Sequence, residues 1–222
     1  MSISSSSRYF PPISEASADG LLGIGGSLEV DWLLDAYRHG IFPWPADGDL
    51  LAWWSPDPRA VLQFDQLRVS RRLARTCRTG RFTVTRDQDF AGVIQGCRTA
   101  QDRRQATWIT AEIVDAYSQL HAQGFAHSVE VWQDGRLAGG LYGVALGGVF
   151  SAESMFYNVR DASKVAVVHL VGHLARRGFR LLDIQQLTPH MERMGARAIP
   201  RWEFLRRIEA AVDLPISFDK KT

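Results

Sequence analysis

The sequence predicts an α+β protein in which helices pack on a mostly antiparallel sheet. The first observation is a run from His127 to Phe156 that reads as a meander of three strands, with QDGR and LGG as its turns. The second is that apolar residues at helical spacing stand before and after this meander. The third is length, because 222 residues can bury one main core with room for a small satellite domain.

The first part of the chain is rich in Gly, Pro and Trp. One short helix is expected there, with Ser27 as its N-cap and Gly40 as its end. Four prolines follow, and they indicate a stiff surface loop because they fix backbone angles. That loop carries three tryptophans, which are Trp44, Trp53 and Trp54. Only the serine-rich first seven residues look disordered.

After about residue 62 helical and strand periods alternate, so we expect a small domain over residues 1–62 and a larger one over 63–222. Two helices are expected before the meander, in DFAGVIQGCRTA and TAEIVDAYSQLHAQG. After it, a helix opened by Asp161 and ended by Gly178 leads to the strand FRLLDIQQL. Two further helices are expected in PHMERMGA and RWEFLRRIEAAV.

Composition bounds the function only loosely. A formal net charge of +2 and a sequence pI near 8.7 permit a polyanionic partner but do not require one. The two cysteines are too few for a disulfide framework, and the N-terminal residues lack the apolar core of a signal peptide. We therefore expect a cytoplasmic protein with reduced thiols and no membrane span.

Three motif-like features indicate neither a cofactor nor a nucleophile. GIGG has Leu28 where a dinucleotide-binding loop needs its third Gly, so a turn before a helix explains it better. HLVGH sets His169 and His173 one helical turn apart, but it lacks both the Glu of the zinc motif and a third ligand, so no metal is expected. No G-x-S-x-G elbow appears, and neither cysteine stands in a nucleophile motif.

The basic residues are concentrated in one block. Seven arginines and no acidic residue occupy QLRVSRRLARTCRTGRFTVTR, residues 66–86. Arginine forks match phosphate oxygens, so the block favours contact with a nucleic-acid backbone without reading base sequence. The alternative is a solvated helix face balanced by acids from elsewhere. The candidate phosphate contacts are Arg71, Arg72, Arg75 and Arg78.

An acid and an amide end the strand in RLLDIQQL. Asp183 and Gln185 are two residues apart and roughly 6.5 Å along a strand, on one face, so their side chains can meet. An ionised Asp only accepts hydrogen bonds, whereas the Gln amide also donates, so pairing the two would aim the Gln oxygen outward. From these two residues alone, the simplest interpretation is that they are a polar pair at the end of a strand, with a structural role only.

Seven runs of sequence resemble a known family. They are GLLGIGGSLEVDWLLDAYRHGIFPW, WWSPDPRAVL, TWIT, HAQGFAHSVEVW, LAGGLYGVALGGVFSAESMF, DASK and LLDIQQLTPHMERMGARAIPR. From about Gly20 to Arg207 the chain resembles the bacterial leucyl/phenylalanyl-tRNA–protein transferases. The resemblance implies a small N-terminal domain joined to a domain like that of GNAT N-acetyltransferases. It also implies a monomer without cofactor that moves Leu or Phe, and less well Met, from tRNA to the N-terminal Arg or Lys of a protein, which marks that protein for degradation by the N-end rule.

The resemblance implies roles for individual residues. Asp183 and Gln185 fall on the Asp-x-Gln of the family and are implied to be catalytic, with the Gln oxygen receiving the attacking amino group. Because a neutral amide is a very poor base, we favour positioning over proton removal. Glu153 is implied to lie beside the reaction centre, where its buried carboxylate needs a partner and a cationic N-terminal residue of the acceptor would be one.

The same resemblance implies a substrate-binding set. Aromatic residues around the terminal adenosine of the tRNA are Tyr37, Trp44 and Trp108. An apolar pocket for the transferred amino acid is formed by Leu141, Met155, Leu170 and Leu174. Thr188 stands where an Asn is usual in the family, and the three leucines stand where Met and Phe are usual, which bears on the preference between Leu and Phe.

Two other functions are compatible with parts of the sequence. An N-acyltransferase that uses acyl-CoA would share the fold, but RLAGGL, the nearest approach to its pyrophosphate loop, ends in Leu and lies in a hairpin. A non-catalytic RNA-binding module would explain the arginines but not Asp183 and Gln185.

Overall fold

The computed structural model of the chain describes residues 6–45, 50–100 and 107–219. Within these ranges the helices are α1 Val30–Arg38, α2 Arg71–Arg78, α3 Phe90–Arg98, α4 Ala111–Ala122, α5 Ala162–Arg177, α6 Pro189–Arg193 and α7 Arg201–Glu209. The strands are β1 Leu21–Ile24, β2 Phe42–Pro43, β3 Ala52–Trp54, β4 Arg59–Val61, β5 Thr83–Arg86, β6 Ala126–Gln133, β7 Arg136–Leu146, β8 Val149–Tyr157, β9 Leu181–Gln185 and β10 Arg197–Ile199. The α+β prediction is confirmed.

The main sheet has the strand order β10-β4-β9-β8-β7-β6-β5 within the described ranges. Its neighbours are antiparallel except for β8 and β9, which are parallel. Asp134 and Gly135, both with positive φ, form the tight turn between β6 and β7. A parallel pair needs a long crossover, and α5 supplies it between β8 and β9. The predicted meander and the mostly antiparallel sheet are therefore confirmed.

The centre of this sheet is buried on both faces. Along β7, Leu141 belongs to a cluster with α5, whereas the next residue, Tyr142, belongs to a cluster with α3 and α4. Side chains alternate between the faces of a strand, so one strand can serve both cores. A third cluster lies where α7 covers β4 and the start of β9. This end of the sheet is therefore covered by α7 over β4 and β9, whereas Arg197 and Ala198 of the edge strand β10 are exposed.

The N-terminal region contains a small antiparallel sheet with the order β1-β3-β2. The expected surface loop is wrong for Trp53, which lies in β3 and is 1% exposed. The predicted helix start is also wrong: α1 begins at Val30, because Ser27 accepts a hydrogen bond from Glu29 N–H instead of capping the helix. Its expected end is confirmed, since Gly40 follows with a φ of 75°.

The division into domains over residues 1–62 and 63–222 stays a prediction. β4 lies before that boundary, yet it pairs with β9 in the main sheet. Of the serine-rich first seven residues, 1–5 lie outside the described residues, and the Ser7 hydroxyl donates to Asp35 at 2.5 Å. None of the helices in the described ranges is both long and apolar enough to cross a membrane.

Candidate active site

The end of β9 departs from regular strand geometry. Opposite it, Val61 pairs with Asp183 and Ala60 pairs with Gln185, so Ile184 is an extra residue on β9, as in a β-bulge. Gln185 has a φ of 61°, in the left-handed region that is uncommon for residues other than Gly. The prediction that the two side chains pair is wrong. Instead, the backbone N–H of Gln185 donates to Asp183 Oδ1 at 2.9 Å.

The side chain of Asp183 is held by an arginine that sequence reasoning missed. Arg59 Nε donates to Oδ1 at 2.8 Å and Arg59 Nη2 donates to Oδ2 at 2.7 Å. Both side chains are about 1% exposed. The Ser151 hydroxyl donates to the same carboxylate at 3.3 Å. A single charged residue in the apolar run PRAVL is the sequence signal that could have identified Arg59.

The side chain of Gln185 turns to a different carboxylate. Its Nε2 donates to Glu153 Oε1 at 2.8 Å. Glu153 also accepts from the Tyr117 hydroxyl at 3.3 Å, and this hydroxyl is hydrogen-bonded to that of Tyr37. The buried Glu153 carboxylate thus has partners within the chain, and the prediction that the acceptor supplies a further one stays a prediction. Because the Gln185 NH2 group is committed to Glu153, its oxygen is the amide atom left for a ligand.

Burial sets the ionisation of Glu153. Desolvation raises its pKa from 4.5 to about 7, and the charge of Asp183 acts in the same direction. The hydrogen bonds from Gln185, Tyr37 and Tyr117 lower the pKa but do not outweigh burial. Glu153 can therefore gain or lose a proton near neutral pH, which is the property that a general base or acid needs.

A cavity of about 150 Å³ lies against Glu153 and Gln185. Its apolar wall includes Leu141 and Met155 from neighbouring strands and Leu170 from α5. This volume is below the roughly 300–1,000 Å³ of pockets for drug-sized ligands, so it suits one amino-acid side chain.

Most of the sequence-predicted substrate residues line this cavity, but two do not. Leu174 is fully buried in the main core and is not on the wall, and Tyr37, 4% exposed, lies behind Glu153. Trp44 and Trp108 do line the cavity, and their rings stack with centroids 5.2 Å apart. Both are only partly buried, so the stacked pair can offer an edge or face to a ligand.

Thr188 lines the cavity and also has a local structural task. It is the N-cap of α6, and its hydroxyl accepts a hydrogen bond from Met191 N–H at 3.2 Å. Pro189 follows at the first helical position, where its missing N–H costs nothing. The Thr-Pro pair therefore explains how the helix after β9 begins.

Of the four candidate phosphate contacts, all of which are exposed on α2, one has an acidic partner. Arg72 makes two hydrogen bonds to the buried Asp161 carboxylate, at 2.6 and 3.0 Å. Asp161, which was expected to cap α5, makes no side-chain cap and has a φ of 75°. The first turn of α2 holds Arg71 and Arg72 and no acid, an arrangement that the helix dipole disfavours. Helix stability therefore does not account for these charges.

The two histidines of HLVGH have ordinary surroundings. His173 is hydrogen-bonded through Nε2 to the carbonyl oxygen of Phe218 at 2.8 Å. Within the described ranges, the side chains close enough to share a cation are instead Asp87, His127 and Asp219. Asp87 already accepts from His127 Nδ1 and from Ser128 N–H, both at 2.7 Å.

Comparison with known proteins identifies relatives over nearly the whole chain. The family model described as leucyl/phenylalanyl-tRNA protein transferase matches residues 61–209, and that of the family's N-terminal domain matches residues 26–57. The leucyl/phenylalanyl-tRNA–protein transferase of Chromohalobacter salexigens is 53% identical over 94% of this chain and 82% of its own length. That of Azotobacter vinelandii is 50% identical over 96% and 95%. Among solved structures, a GCN5-related N-acetyltransferase from Kribbella flavida matches 74% of this chain and 58% of its own, with a TM-score of 0.41 and 11% identity.

Proposed function

We propose that the cavity beside Gln185 is where the amino acid passes from tRNA to a protein, because this chain belongs to the leucyl/phenylalanyl-tRNA–protein transferase family. The enzyme is an aminoacyltransferase whose reaction serves the N-end rule of protein degradation. The observation that carries the proposal is the contact between Gln185 and Glu153 on the wall of a cavity the size of one side chain.

The reaction joins an amine to an ester. The nitrogen forms a bond to the ester carbonyl carbon, the bond from that carbon to the ribose oxygen breaks, and the ribose oxygen gains a proton as the amine loses one. In our proposal the Gln185 oxygen accepts a hydrogen bond from the amine and Glu153 takes up the amine proton. Orientation of two bound reactants supplies much of the acceleration. Because Glu153 must be ionised to accept a proton, kcat should rise as pH increases through about 7.

We assign the apolar wall formed by Leu141, Met155 and Leu170 to the transferred side chain. An apolar pocket discriminates by shape, at about 1–3 kcal/mol per methylene, so it can accept Leu and Phe well and Met less well. Ile and Val branch at Cβ, which broadens them next to the ester, so they should be poor substrates. Equal transfer of Leu and Ile would contradict this assignment.

We assign the terminal adenosine of the tRNA to the stacked rings of Trp44 and Trp108, because base stacking is worth about 1–3 kcal/mol per base. Tyr37 is proposed to support Glu153 through Tyr117. Arg71, Arg75 and Arg78, which have no acidic partner in the described ranges, are proposed to contact tRNA phosphates, while Arg72 is shared with Asp161.

The proposed acceptor is a protein with an N-terminal Arg or Lys, whose cationic side chain suits the carboxylate that Glu153 forms above pH 7. We propose that the enzyme acts as a monomer, in the cytoplasm where aminoacyl-tRNA is made. Thr188 lies at the cavity rim, where its backbone can contact the acceptor while its hydroxyl caps α6.

The experiment is transfer of radiolabelled Leu from tRNA to a peptide that begins with Arg. We expect incorporation that is lost with an N-acetylated peptide and with Gln185→Ala, and retained with Gln119→Ala, a matched change on α4 outside the cavity. Turnover of acetyl-CoA without transfer from tRNA would instead favour the acyl-CoA-dependent class. Binding of tRNA without either reaction would favour an RNA-binding module.

A further inference from the structure

Arg59 connects three separate parts of the chain. Its guanidinium lies between the rings of Phe42 in β2 and Phe204 in α7, at 4.7 and 4.5 Å from their centroids. Its Nη1 donates to the carbonyl oxygen of Gly40 at 3.1 Å, while Nε and Nη2 donate to the two carboxylate oxygens of Asp183. Each of the three guanidinium nitrogens thus donates a hydrogen bond, which fixes the orientation of the group.

Stability alone does not account for this arrangement. Removing two charges from water is costly, and replacing a buried ion pair with apolar residues is often neutral or stabilising. A bidentate guanidinium–carboxylate pair does supply geometry, because the planar fork permits one orientation of the carboxylate. The carboxylate so oriented is that of Asp183.

The orientation passes from Asp183 to Gln185 through one oxygen. Asp183 Oδ1 accepts both Arg59 Nε–H and the backbone N–H of Gln185. Gln185 has a left-handed φ of 61°, a conformation that costs of the order of 1–3 kcal/mol and persists only where surrounding contacts enforce it. With its backbone in this conformation, the side chain of Gln185 reaches Glu153.

We propose that Arg59 is a positioning residue of the transfer reaction: by fixing the Asp183 carboxylate, it keeps the Gln185 backbone turned so that the side-chain amide meets Glu153 in the cavity. Asp183 accordingly serves as an anchor for Gln185 and does not receive the proton of the amine, because both of its oxygens are occupied by Arg59. The inference rests on the proposed function of that cavity.

The test is Arg59→Lys, which keeps the charge but cannot form a bidentate pair with both carboxylate oxygens. Arg201→Lys is the matched control, since Arg201 is a partly buried arginine that donates to the Ser55 carbonyl oxygen and does not contact Asp183. Transfer kinetics are measured across pH together with tRNA affinity. The Gln185 side-chain amide signal, identified with Gln185→Ala, is followed by ¹H–¹⁵N NMR, which requires no activity.

For Arg59→Lys we expect kcat to fall by about 100-fold, the loss that misplacement by about 1 Å can cause. The Michaelis constant for tRNA should stay within about twofold of the wild-type value. The Gln185 amide signal should move to the position of a free amide. The midpoint of the pH profile should move to higher pH, because the variant lacks the Gln185 hydrogen bond that lowers the pKa of Glu153. Arg201→Lys should change none of these.

An unchanged amide signal would overturn the proposal, and so would a loss of kcat with an unmoved pH midpoint, which is the result expected of a merely structural arginine. If Arg59→Lys does not fold, Arg59→Met combined with Asp183→Asn removes both buried charges, and a wild-type amide signal in that variant would also overturn it. A wild-type enzyme without transfer activity would refute the proposed function, while the amide signal would still test the positioning.

Discussion

Gln185 and Glu153 meet across the neighbouring parallel strands β9 and β8. The register of β8 and β9 aligns Ser151 with Asp183, and two residues further on the Gln185 amide donates to the Glu153 carboxylate at 2.8 Å. This contact uses the NH2 group of Gln185, which leaves its oxygen available to the cavity.

Replacing Gln185 should affect the chemical step more than binding. Gln185→Ala should lower kcat by about 100-fold and raise the Michaelis constant for tRNA far less, because its contact to the amine matters chiefly as the bond forms. Gln185→Glu should also be impaired, with a pH profile different from that of the wild type, since two adjacent carboxylates titrate as a unit. Steady-state kinetics from pH 6 to 9 test both variants. Wild-type rates for Gln185→Glu throughout this range would show that the site needs a base at position 185.

The raised pKa of Glu153 predicts a pH-dependent difference in stability. The native protein keeps a proton up to about pH 7 that the unfolded chain loses near 4.5, so Glu153 makes folding less favourable as pH rises between these values. Relative to Glu153→Gln, the wild-type protein should therefore lose on the order of 1–3 kcal/mol of unfolding free energy between pH 4.5 and pH 8. Urea titrations of both proteins measure this difference, and groups common to both cancel. A difference that is independent of pH would contradict the assignment.

Enlarging the cavity should change the preference between the two amino acids. Leu170→Ala should raise the ratio of Phe to Leu transfer by roughly tenfold, because the added space favours the larger side chain. Leu174→Ala is the control, since Leu174 is one helical turn away and equally buried but does not line the cavity. Competition between Phe-tRNA and Leu-tRNA measures the ratio. Equal shifts in the two variants would mean that the cavity does not hold the transferred side chain.

The arginines of α2 should differ in whether they contribute to tRNA binding or to the stability of the fold. If Arg71, Arg75 and Arg78 each neutralise one phosphate, replacing any of them with Ala should reduce the slope of log K against log salt by about 1, equally for every tRNA. Filter binding at several salt concentrations measures the slopes. Unchanged slopes in all three variants would mean that this helix face is only solvated.

Arg72→Ala provides an internal contrast. It leaves the buried Asp161 carboxylate with Lys164 at 3.5 Å as its remaining ion-pair partner in the described ranges. This variant should lose unfolding free energy because a buried carboxylate loses its bidentate partner, a cost that the alanine variants of Arg71, Arg75 and Arg78 should not show. Urea titration of the four alanine variants measures the contrast.

Most of the helices and the meander could be predicted from sequence, because hydrophobic periods and turn residues are local signals, and long family motifs indicated residues that line the cavity. β1 to β5 and β10 were missed, since strands of two to four residues such as Arg59–Val61 carry too short a period and form only by pairing with other strands. The partner of Gln185 was predicted wrongly for a related reason. The bulge at Ile184 breaks the two-residue period, and the burial of Glu153 depends on Tyr37 and Tyr117 from helices far away in sequence.

The packing of Arg59 against Phe42 and Phe204 joins parts of the chain that are made at different times during its synthesis. Phe204 belongs to α7, near the end of the described chain, so one wall of the guanidinium site is missing until that helix has left the ribosome. The meander and α5 share their core with Leu62 and Leu73 before them and with Met191 and Phe218 after them, so that core also needs later parts of the chain. Aminoacyl-tRNA is abundant around every translating ribosome, and we expect a nascent chain to leave it unreacted until α7 has packed on Arg59.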